Sequence, residues 1–148
     1  EREAPSDRAE ALIIAAARAQ HVAEVVGPAL AAGTDVVTDR FIGSSLAYQG
    51  IGRDLGVAEV AAVSAFATNG LEADLTLFIE VDEATAAERM NRSLDRIEQA
   101  GEGFHRRVAE AYQTLAAADP DRWVVIDGVG TVDEVTARVM AAVADRLS

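Results

Sequence analysis

Residues Asp74 to Val81 read Asp-Leu-Thr-Leu-Phe-Ile-Glu-Val, a nearly uninterrupted apolar run. A run of this length and composition predicts a β-strand that is covered on both faces, as strands of parallel sheets are. Two shorter runs, Asp35 to Thr38 and Trp123 to Asp127, predict further strands. Because helical patterns separate these runs, the strands are expected to be parallel and joined by helical crossovers. The sequence therefore predicts an α/β sandwich with helices on both faces of a parallel sheet.

Helical periodicity fills the stretches around these strands. An alanine-rich period predicts a helix from Arg8 to Ala32, which Gly33 would end. Further along, the patterns predict a glycine- and serine-bearing loop at 43–56 and helices at 57–69, at 82–92 with Asp82 as N-cap, at 104–115, and after a Thr131–Glu134 capping box. In a sheet built this way, ligands bind at the carboxyl ends of the strands.

The composition limits the class of protein. A chain of 148 residues, half of them hydrophobic, is expected to form one domain over residues 1–148. Its net charge of −12 disfavours nucleic acids and anionic membranes as partners, because binding them requires lysine and arginine to neutralise phosphates. There is no cysteine, no apolar run long enough to span a bilayer and no signal-peptide pattern at the first residues. These features predict a soluble cytoplasmic protein.

The first candidate for function is the pair Asp39-Arg40, directly after the predicted strand at Asp35 to Thr38. An arginine at the carboxyl end of a strand presents a planar fork suited to phosphate, and the aspartate could orient it or hold a metal-bound water. An ordinary loop ion pair explains the same two residues, and their position alone does not decide between the two readings.

Two further candidates are polar residues in unusual surroundings. Arg18 lies amid alanines and shares a helical stripe with Ile14 and His21, so it could clamp an anion; a snorkelling arginine with its head in water is the competing reading. The stretch from Ser44 to Gly50 offers hydroxyl, phenol and amide groups that could read the edge of a polar ring, Gln49 both donating and accepting. A plain polar loop is the alternative there.

The fourth candidate is a cluster of charged residues between the second and third predicted strands. It consists of Arg89, Arg92, Asp95, Arg96 and Glu98. On a continuous helix the three arginines share one face, which suits a lid that closes over phosphates during their transfer. A solvated helix held by arginine–glutamate pairs is the rival reading.

One motif is not found in this sequence. No Gly-x-x-x-x-Gly-Lys-[Ser/Thr] phosphate loop occurs, and all 13 basic side chains apart from histidine are arginines. A lysine that cradles phosphates is therefore not among these residues.

In this order the motifs resemble those of bacterial thymidylate kinases over essentially the whole chain. The residues that carry the resemblance are Ser6-Asp7-Arg8-Ala9-Glu10-Ala11-Leu12, Ala16-Ala17-Arg18-Ala19-Gln20-His21-Val22, Pro28-Ala29-Leu30-Ala31-Ala32-Gly33, Asp39-Arg40-Phe41, Ser44-Ser45-Leu46-Ala47-Tyr48-Gln49-Gly50-Ile51-Gly52-Arg53, Ala73-Asp74-Leu75-Thr76-Leu77, Leu94-Asp95-Arg96-Ile97-Glu98 and Trp123-Val124-Val125-Ile126-Asp127. Ala-Tyr-Gln-Gly after Asp-Arg, with Leu-Asp-Arg-Ile-Glu downstream, is a specific combination.

The resemblance implies a P-loop kinase fold, a three-layer sandwich around a parallel sheet, that transfers the terminal phosphate of ATP to dTMP with Mg²⁺, as a homodimer. It also implies that the family's phosphate loop and first two strands have no counterpart in this sequence. By resemblance, Arg18 and Arg40 hold the dTMP phosphate, and Asp39 assists the Mg²⁺ site as well as the phosphate. Ile14, where the family commonly has a phenylalanine that stacks on thymine, lines the nucleoside pocket with Ser44, Tyr48 and Gln49. Arg89, Arg92 and Arg96 belong to a catalytic lid over ATP, oriented by Asp95 and Glu98.

Two other hypotheses stay open at this point. One is a degenerate kinase-like module that binds a nucleotide or a partner chain without catalysis. The other is a domain of a larger protein in which the kinase fold serves only for dimerisation.

Overall fold

A computed structural model of the chain describes residues 5–82, 85, 86 and 102–147. The chain divides into two compact units, Glu1–Glu72 and Ala73–Ser148, and each is described by itself. The expectation of a single domain over the whole chain stays a prediction. Among the described residues, no helix is long and apolar enough to cross a membrane.

The first unit begins with the predicted long helical stretch. Helix α1 spans Asp7–His21, a π-helical turn covers Val22–Val26, and α2 spans Gly27–Ala31. The Ser6 hydroxyl caps α1 by accepting a hydrogen bond from the Ala9 amide at 3.4 Å. Gly33, at a φ of 75°, follows the helical end in the left-handed region that glycine adopts without strain. The predicted helix from Arg8 to Ala32 and its glycine stop are confirmed.

The predicted strand at Asp35 to Thr38 is wrong. These residues have no regular structure, and Val37 is 98% exposed. A strand exists only when a neighbouring strand takes up its backbone hydrogen bonds, and the described residues of this unit contain no strand to do so. Asp39 and Arg40 therefore follow an irregular segment and not the end of a strand.

The predicted loop at 43–56 is wrong as well, because most of it is helical. Helix α3 spans Ile42–Ser45, and a π-helical segment follows over Leu46–Gly52, which we call the π-segment. It is closed by a hydrogen bond from the Arg53 amide to the Tyr48 carbonyl at 2.9 Å. Its Gly50 packs closely on the backbone of Val57, since a Cβ there would lie only 3.3 Å from the Val57 Cα. Gly50, one of the glycines that suggested a loop, thus allows close packing within a wide helix.

Helix α4 completes the first unit and agrees with its prediction. It spans Val57–Thr68 and ends at Asn69, which adopts the left-handed conformation with a φ of 52°. Its buried side chains are those of Val60, Ser64 and Thr68, and the helix packs against α1 and the π-segment. The core of this unit therefore lies between α1, α4 and the π-segment, and small residues such as the fully buried Ala47 allow the close approach.

The second unit is built on two parallel strands. Strand β1 (Thr76–Glu80) pairs with β2 (Trp123–Asp127) in a register that sets Thr76 opposite Trp123. These are two of the three predicted strands, and their parallel pairing is confirmed. The strands were expected to be covered on both faces. Within the described part of the chain, however, Ile79 and Val125 are 49% and 47% exposed, so both faces are not fully covered.

Two helices pack on this strand pair. Helix α5 spans Glu102–Ala118 and places Tyr112 in a stack on Phe78, with the ring centroids 5.0 Å apart. Helix α6 spans Val132–Arg146 and packs against β2. Asp82 accepts a hydrogen bond from the Thr85 amide at 2.7 Å, as its predicted role of N-cap requires. The rest of the helix predicted there lies outside the described residues.

The capping box of α6 is confirmed. The Thr131 hydroxyl accepts from the Glu134 amide at 3.3 Å, while Glu134 accepts from the Thr131 amide at 2.7 Å. These hydrogen bonds, and less so the charge of Arg138, hold the pKa of Glu134 below its ordinary value. Because the folded-state pKa is lowered, the stabilisation that Glu134 supplies is present above the ordinary glutamate pKa of about 4.3 and is lost as the pH falls through the lower folded value.

We expect Thr131→Ala to lower the free energy of unfolding by about 1 kcal/mol at neutral pH, the usual effect of removing an N-cap. The difference from the wild type should shrink as the pH falls through the lowered folded-state pKa of Glu134, where this carboxylate becomes protonated. Urea unfolding at neutral and at acid pH measures it. Thr136→Ala, at an exposed site within the same helix, is the matched control and should cause no loss. A Thr131→Ala loss as large in acid as at neutral pH would contradict this interpretation.

Candidate functional site

Arg18, on the last turn of α1, is the most constrained of the candidate residues. Its Nη2 donates to the Phe41 carbonyl at 3.1 Å and to the Ser45 hydroxyl at 2.8 Å. Its guanidinium carbon lies 5.7 Å from the centroid of the Phe41 ring. The other terminal nitrogen, Nη1, is buried and has no hydrogen-bond partner among the described residues. The head of this arginine is therefore held in place and not snorkelling into water.

The environment of Arg18 disfavours the positive charge of the guanidinium group. Burial lowers the pKa of the guanidinium below its ordinary value, although an arginine stays protonated in proteins. A buried donor without a partner is rare, because it loses its hydrogen bond to water and gains nothing in return. An anionic acceptor that reached Nη1 would remove both penalties. This geometry therefore favours a bound anion or carbonyl that accepts a hydrogen bond from Nη1.

Arg40 is exposed and backbone-strained. Its φ is 62°, in the left-handed region where a non-glycine residue costs about 1–3 kcal/mol. Its guanidinium carbon lies 5.1 Å from the centroid of the Tyr48 ring. The strained backbone and the aromatic ring together aim the charged group along the surface of the π-segment. Strain kept at a charged surface residue is typical of functional sites.

The structure joins some of the residues predicted for the substrate pocket by direct contacts. Tyr48 contacts Arg40, and Ile14 lies one helical turn before Arg18, partly exposed. Ser44 is partly buried in α3, next to the Ser45 that Arg18 contacts. All of these side chains belong to the first unit.

Gln49 and Asp39 take positions that the sequence did not predict. Gln49 is 2% exposed, and its Nε2 donates to Glu10 at 3.0 Å, so this amide is used inside the protein. Asp39 is exposed beside Arg40. Within the described residues, no three side chains of the metal-binding kinds lie together as a site for a metal ion. The roles of Gln49 in reading a base and of Asp39 at a metal stay predictions.

The predicted lid lies outside the described residues. This applies to Arg89, Arg92, Asp95, Arg96 and Glu98. Their roles stay predictions.

Sequence reasoning missed two pairs of residues that shape this region. Phe41 and Ser45 accept hydrogen bonds from Arg18. Glu10 and Arg53 pair at the carboxyl end of the π-segment. One signal was present, because Glu10, Ile14 and Arg18 follow one another at spacings of four and therefore share a stripe of α1. Ser45 lies within the candidate stretch from Ser44 to Gly50, but no signal indicated that its hydroxyl would contact Arg18.

A separate groove of about 210 Å³ opens between α1 and α4. Its lining comes from both helices and from the segment between them: Arg8, Ala11, Leu12, Ala15, Ser45, Leu55, Glu59, Val60, Val63 and Ser64. Apart from Ser45, which Arg18 contacts, none of these side chains belongs to the arrangement around Arg18 and Arg40. The groove and the candidate site therefore lie on adjacent faces of α1.

Comparison with known proteins agrees with the pattern of these residues. A family model described as Thymidylate kinase matches residues 1–139. The chain belongs to the thymidylate kinase family. It is 47% identical over 134 residues to the thymidylate kinase of Lactobacillus delbrueckii subsp. bulgaricus, covering 88% of this chain and 63% of that protein. It is 46% identical over 132 residues to that of Bifidobacterium longum, covering 89% and 64%.

A thymidylate kinase of Synechococcus sp. is similar over more of its length. It is 46% identical over 142 residues, covering 96% of this chain and 68% of that protein. The matched part is thus less than two thirds of the Lactobacillus and Bifidobacterium proteins. Family membership confirms the resemblance read from the motifs.

Proposed function

We propose that this chain carries the dTMP-binding part of a thymidylate kinase, and that the whole protein transfers the terminal phosphoryl group of ATP to dTMP. The observation that carries the proposal is the buried, unpartnered Nη1 of Arg18, fixed beside Ser45 and Phe41. The thymidylate kinases among its relatives supply the reaction. The noncatalytic hypotheses are not favoured by these relatives.

Charge supports an anionic substrate at this position. The chain carries a net charge of −12, which repels a phosphate monoester from most of the surface. The side chains of Arg18 and Arg40 contact the same stretch, Phe41 to Tyr48. Two guanidinium groups are therefore available there for a phosphate. Guanidinium groups hold phosphate through paired, charge-assisted hydrogen bonds. We assign the dTMP phosphate to these two arginines.

The nucleoside would then lie between α1 and the π-segment. Tyr48 and the partly exposed Ile14 offer apolar surface to the sugar and base, and Ser44 offers a hydroxyl. Gln49 contributes indirectly, because its amide is engaged by Glu10. Binding at this place orients the acceptor phosphate, and such orientation supplies much of the rate of phosphoryl transfer.

ATP and Mg²⁺ belong to the proposal through the family. A bound Mg²⁺ would supply positive charge that offsets the charge of the phosphates. Asp39, exposed beside Arg40, is the one residue of the described site that we assign to the Mg²⁺, indirectly. Positive charge over the ATP phosphates is assigned to Arg89, Arg92 and Arg96, with Asp95 and Glu98 orienting them.

The larger assembly is part of the same proposal. We assign β1 and β2 to a three-layer sandwich around a wider parallel sheet. We place the enzyme in the cytoplasm as a homodimer, and the 57% exposed Leu12 and 60% exposed Ile13 on α1 offer apolar surface for a second copy. Sedimentation at several concentrations tests the dimer; a monomer at all of them would contradict it.

Phosphoryl transfer is best tested in a chimera. This chain would replace the matched 134 residues of the Lactobacillus delbrueckii thymidylate kinase, which leaves the rest of that protein unchanged. We expect ADP release that depends on dTMP. The same chimera carrying Arg18→Met, and the unaltered Lactobacillus enzyme, are the controls. A folded chimera that releases no ADP with dTMP would contradict the proposal.

A further inference from the structure

Glu10 is a buried carboxylate in the first turns of α1. The residue is 8% exposed, and its Oε1 accepts from the Nε2 of Gln49 at 3.0 Å. Arg53 donates to both of its oxygens, from Nε at 3.4 Å and from Nη2 at 3.3 Å. Arg53 also pairs with the exposed Asp7 at 3.5 Å. One carboxylate therefore binds two side chains at the end of the π-segment.

The partners of Glu10 complement those of Arg18. Arg18 holds Phe41 and Ser45, at the start of the stretch, and Glu10 holds Gln49 and Arg53, at its end. The two anchoring residues are about two turns apart on the same stripe of α1, roughly 12 Å along its axis. The stretch from 41 to 53 thus runs antiparallel to α1 and is fastened at both ends.

Ile14 and Tyr48, two of the residues assigned to the nucleoside, lie between these two anchors. Ile14 sits midway between Glu10 and Arg18 on α1, and Tyr48 immediately precedes Gln49. A shift of the π-segment along α1 would therefore move Tyr48 relative to Ile14 and Arg18. A buried charge pair adds little to stability compared with apolar packing of equal volume, but its directional contacts fix a relative position.

We propose that Glu10 is a positioning residue for the nucleotide site: through Gln49 and Arg53 it fixes the π-segment against α1 and thereby sets the affinity for dTMP. This inference rests on the function proposed above. It adds a role for Glu10 and Arg53, to which no contact with the nucleotide is assigned.

Titration calorimetry of the purified chain with dTMP separates this role from a purely structural one. We expect Glu10→Gln to raise the Kd for dTMP about tenfold, since a small displacement of binding groups carries a large penalty. The number of sites per folded chain should not change. A merely structural role would lower the number of sites and leave the Kd of the remaining folded protein as it was.

A second variant tests the same contact if Glu10→Gln folds poorly. Arg53→Gln should raise the Kd for dTMP by a similar factor, and the double variant should bind no more weakly than either single variant, because both act through one contact. Glu10→Asp should recover part of the affinity. Asp119→Asn removes an exposed ion pair with Arg122 in the second unit and is the matched control, with an unchanged Kd.

The outcomes are distinguishable. Glu10→Gln and Arg53→Gln chains that bind dTMP as tightly as the wild type would overturn the positioning role and leave the proposed function standing. A wild-type chain that does not bind dTMP would overturn both. Amide hydrogen exchange checks the physical basis: Glu10→Gln should speed exchange over 46–53 and not over α6, and equal protection in both proteins would overturn the inference.

Discussion

Replacing Arg18 with methionine is expected to weaken dTMP binding about a hundredfold, equivalent to about 2.8 kcal/mol. The methionine keeps an unbranched stem in place of the arginine stem but removes the buried guanidinium and its unpartnered Nη1. The contacts to Phe41 and Ser45 are lost as well. Titration calorimetry measures the Kd and, separately, the fraction of chains that bind.

The controls for this prediction lie on the same helix and at the same position. Arg8→Met removes an exposed arginine of α1 and should leave the Kd unchanged within about twofold. Arg18→Lys should weaken binding about tenfold, because an ammonium group cannot reproduce a planar fork. If Arg18→Met bound dTMP as the wild type does, Arg18 would be a structural residue and the assigned site would be wrong.

The exchange of Arg40 for glycine should separate stability from binding. Arg40 has a φ of 62°, so Arg40→Gly relieves backbone strain, and the free energy of unfolding should stay the same or rise by up to about 1 kcal/mol. The affinity for dTMP should nevertheless fall about thirtyfold, because a charge assigned to the phosphate is gone. Thymidine, which lacks the phosphate, should bind equally to both proteins.

Asn69→Gly is the matched control for Arg40→Gly. Asn69 has a φ of 52° at the end of α4, away from the arginines, so glycine there relieves similar strain. It should change stability in the same direction and leave the Kd for dTMP as it is. An Arg40→Gly chain with unaltered dTMP affinity would show that Arg40 does not hold the phosphate.

The parts of the fold that were predictable depend on local pattern. The helix from Arg8 to Ala32, the two strands of the second unit and the Thr131 capping box each follow from periodicity or capping chemistry within a short window. The prediction of a strand at Asp35 to Thr38 was wrong because strand pairing depends on residues far away in the sequence. Its valines favour a strand, but the described residues of the first unit offer no partner, and Val37 is exposed.

The prediction of a loop at the π-segment was wrong for the opposite reason. Serine and glycine lower the helical propensity of this stretch, yet tertiary contacts overcome that preference: Ala47 and Gln49 are buried, and Gly50 admits Val57. A mistaken loop also concealed part of the site. Arg18 was recognisable as a lone charge among alanines, whereas its contact with the Ser45 hydroxyl could be identified only once α3 was known to be helical.

The assigned dTMP site is tested most directly by titration calorimetry of the wild-type chain of 148 residues with dTMP and, separately, with thymidine. We expect saturable binding of one dTMP per chain, with thymidine bound at least about a hundredfold more weakly because it lacks the phosphate that Arg18 and Arg40 hold. A folded chain that does not bind dTMP, or that binds thymidine equally well, would contradict it.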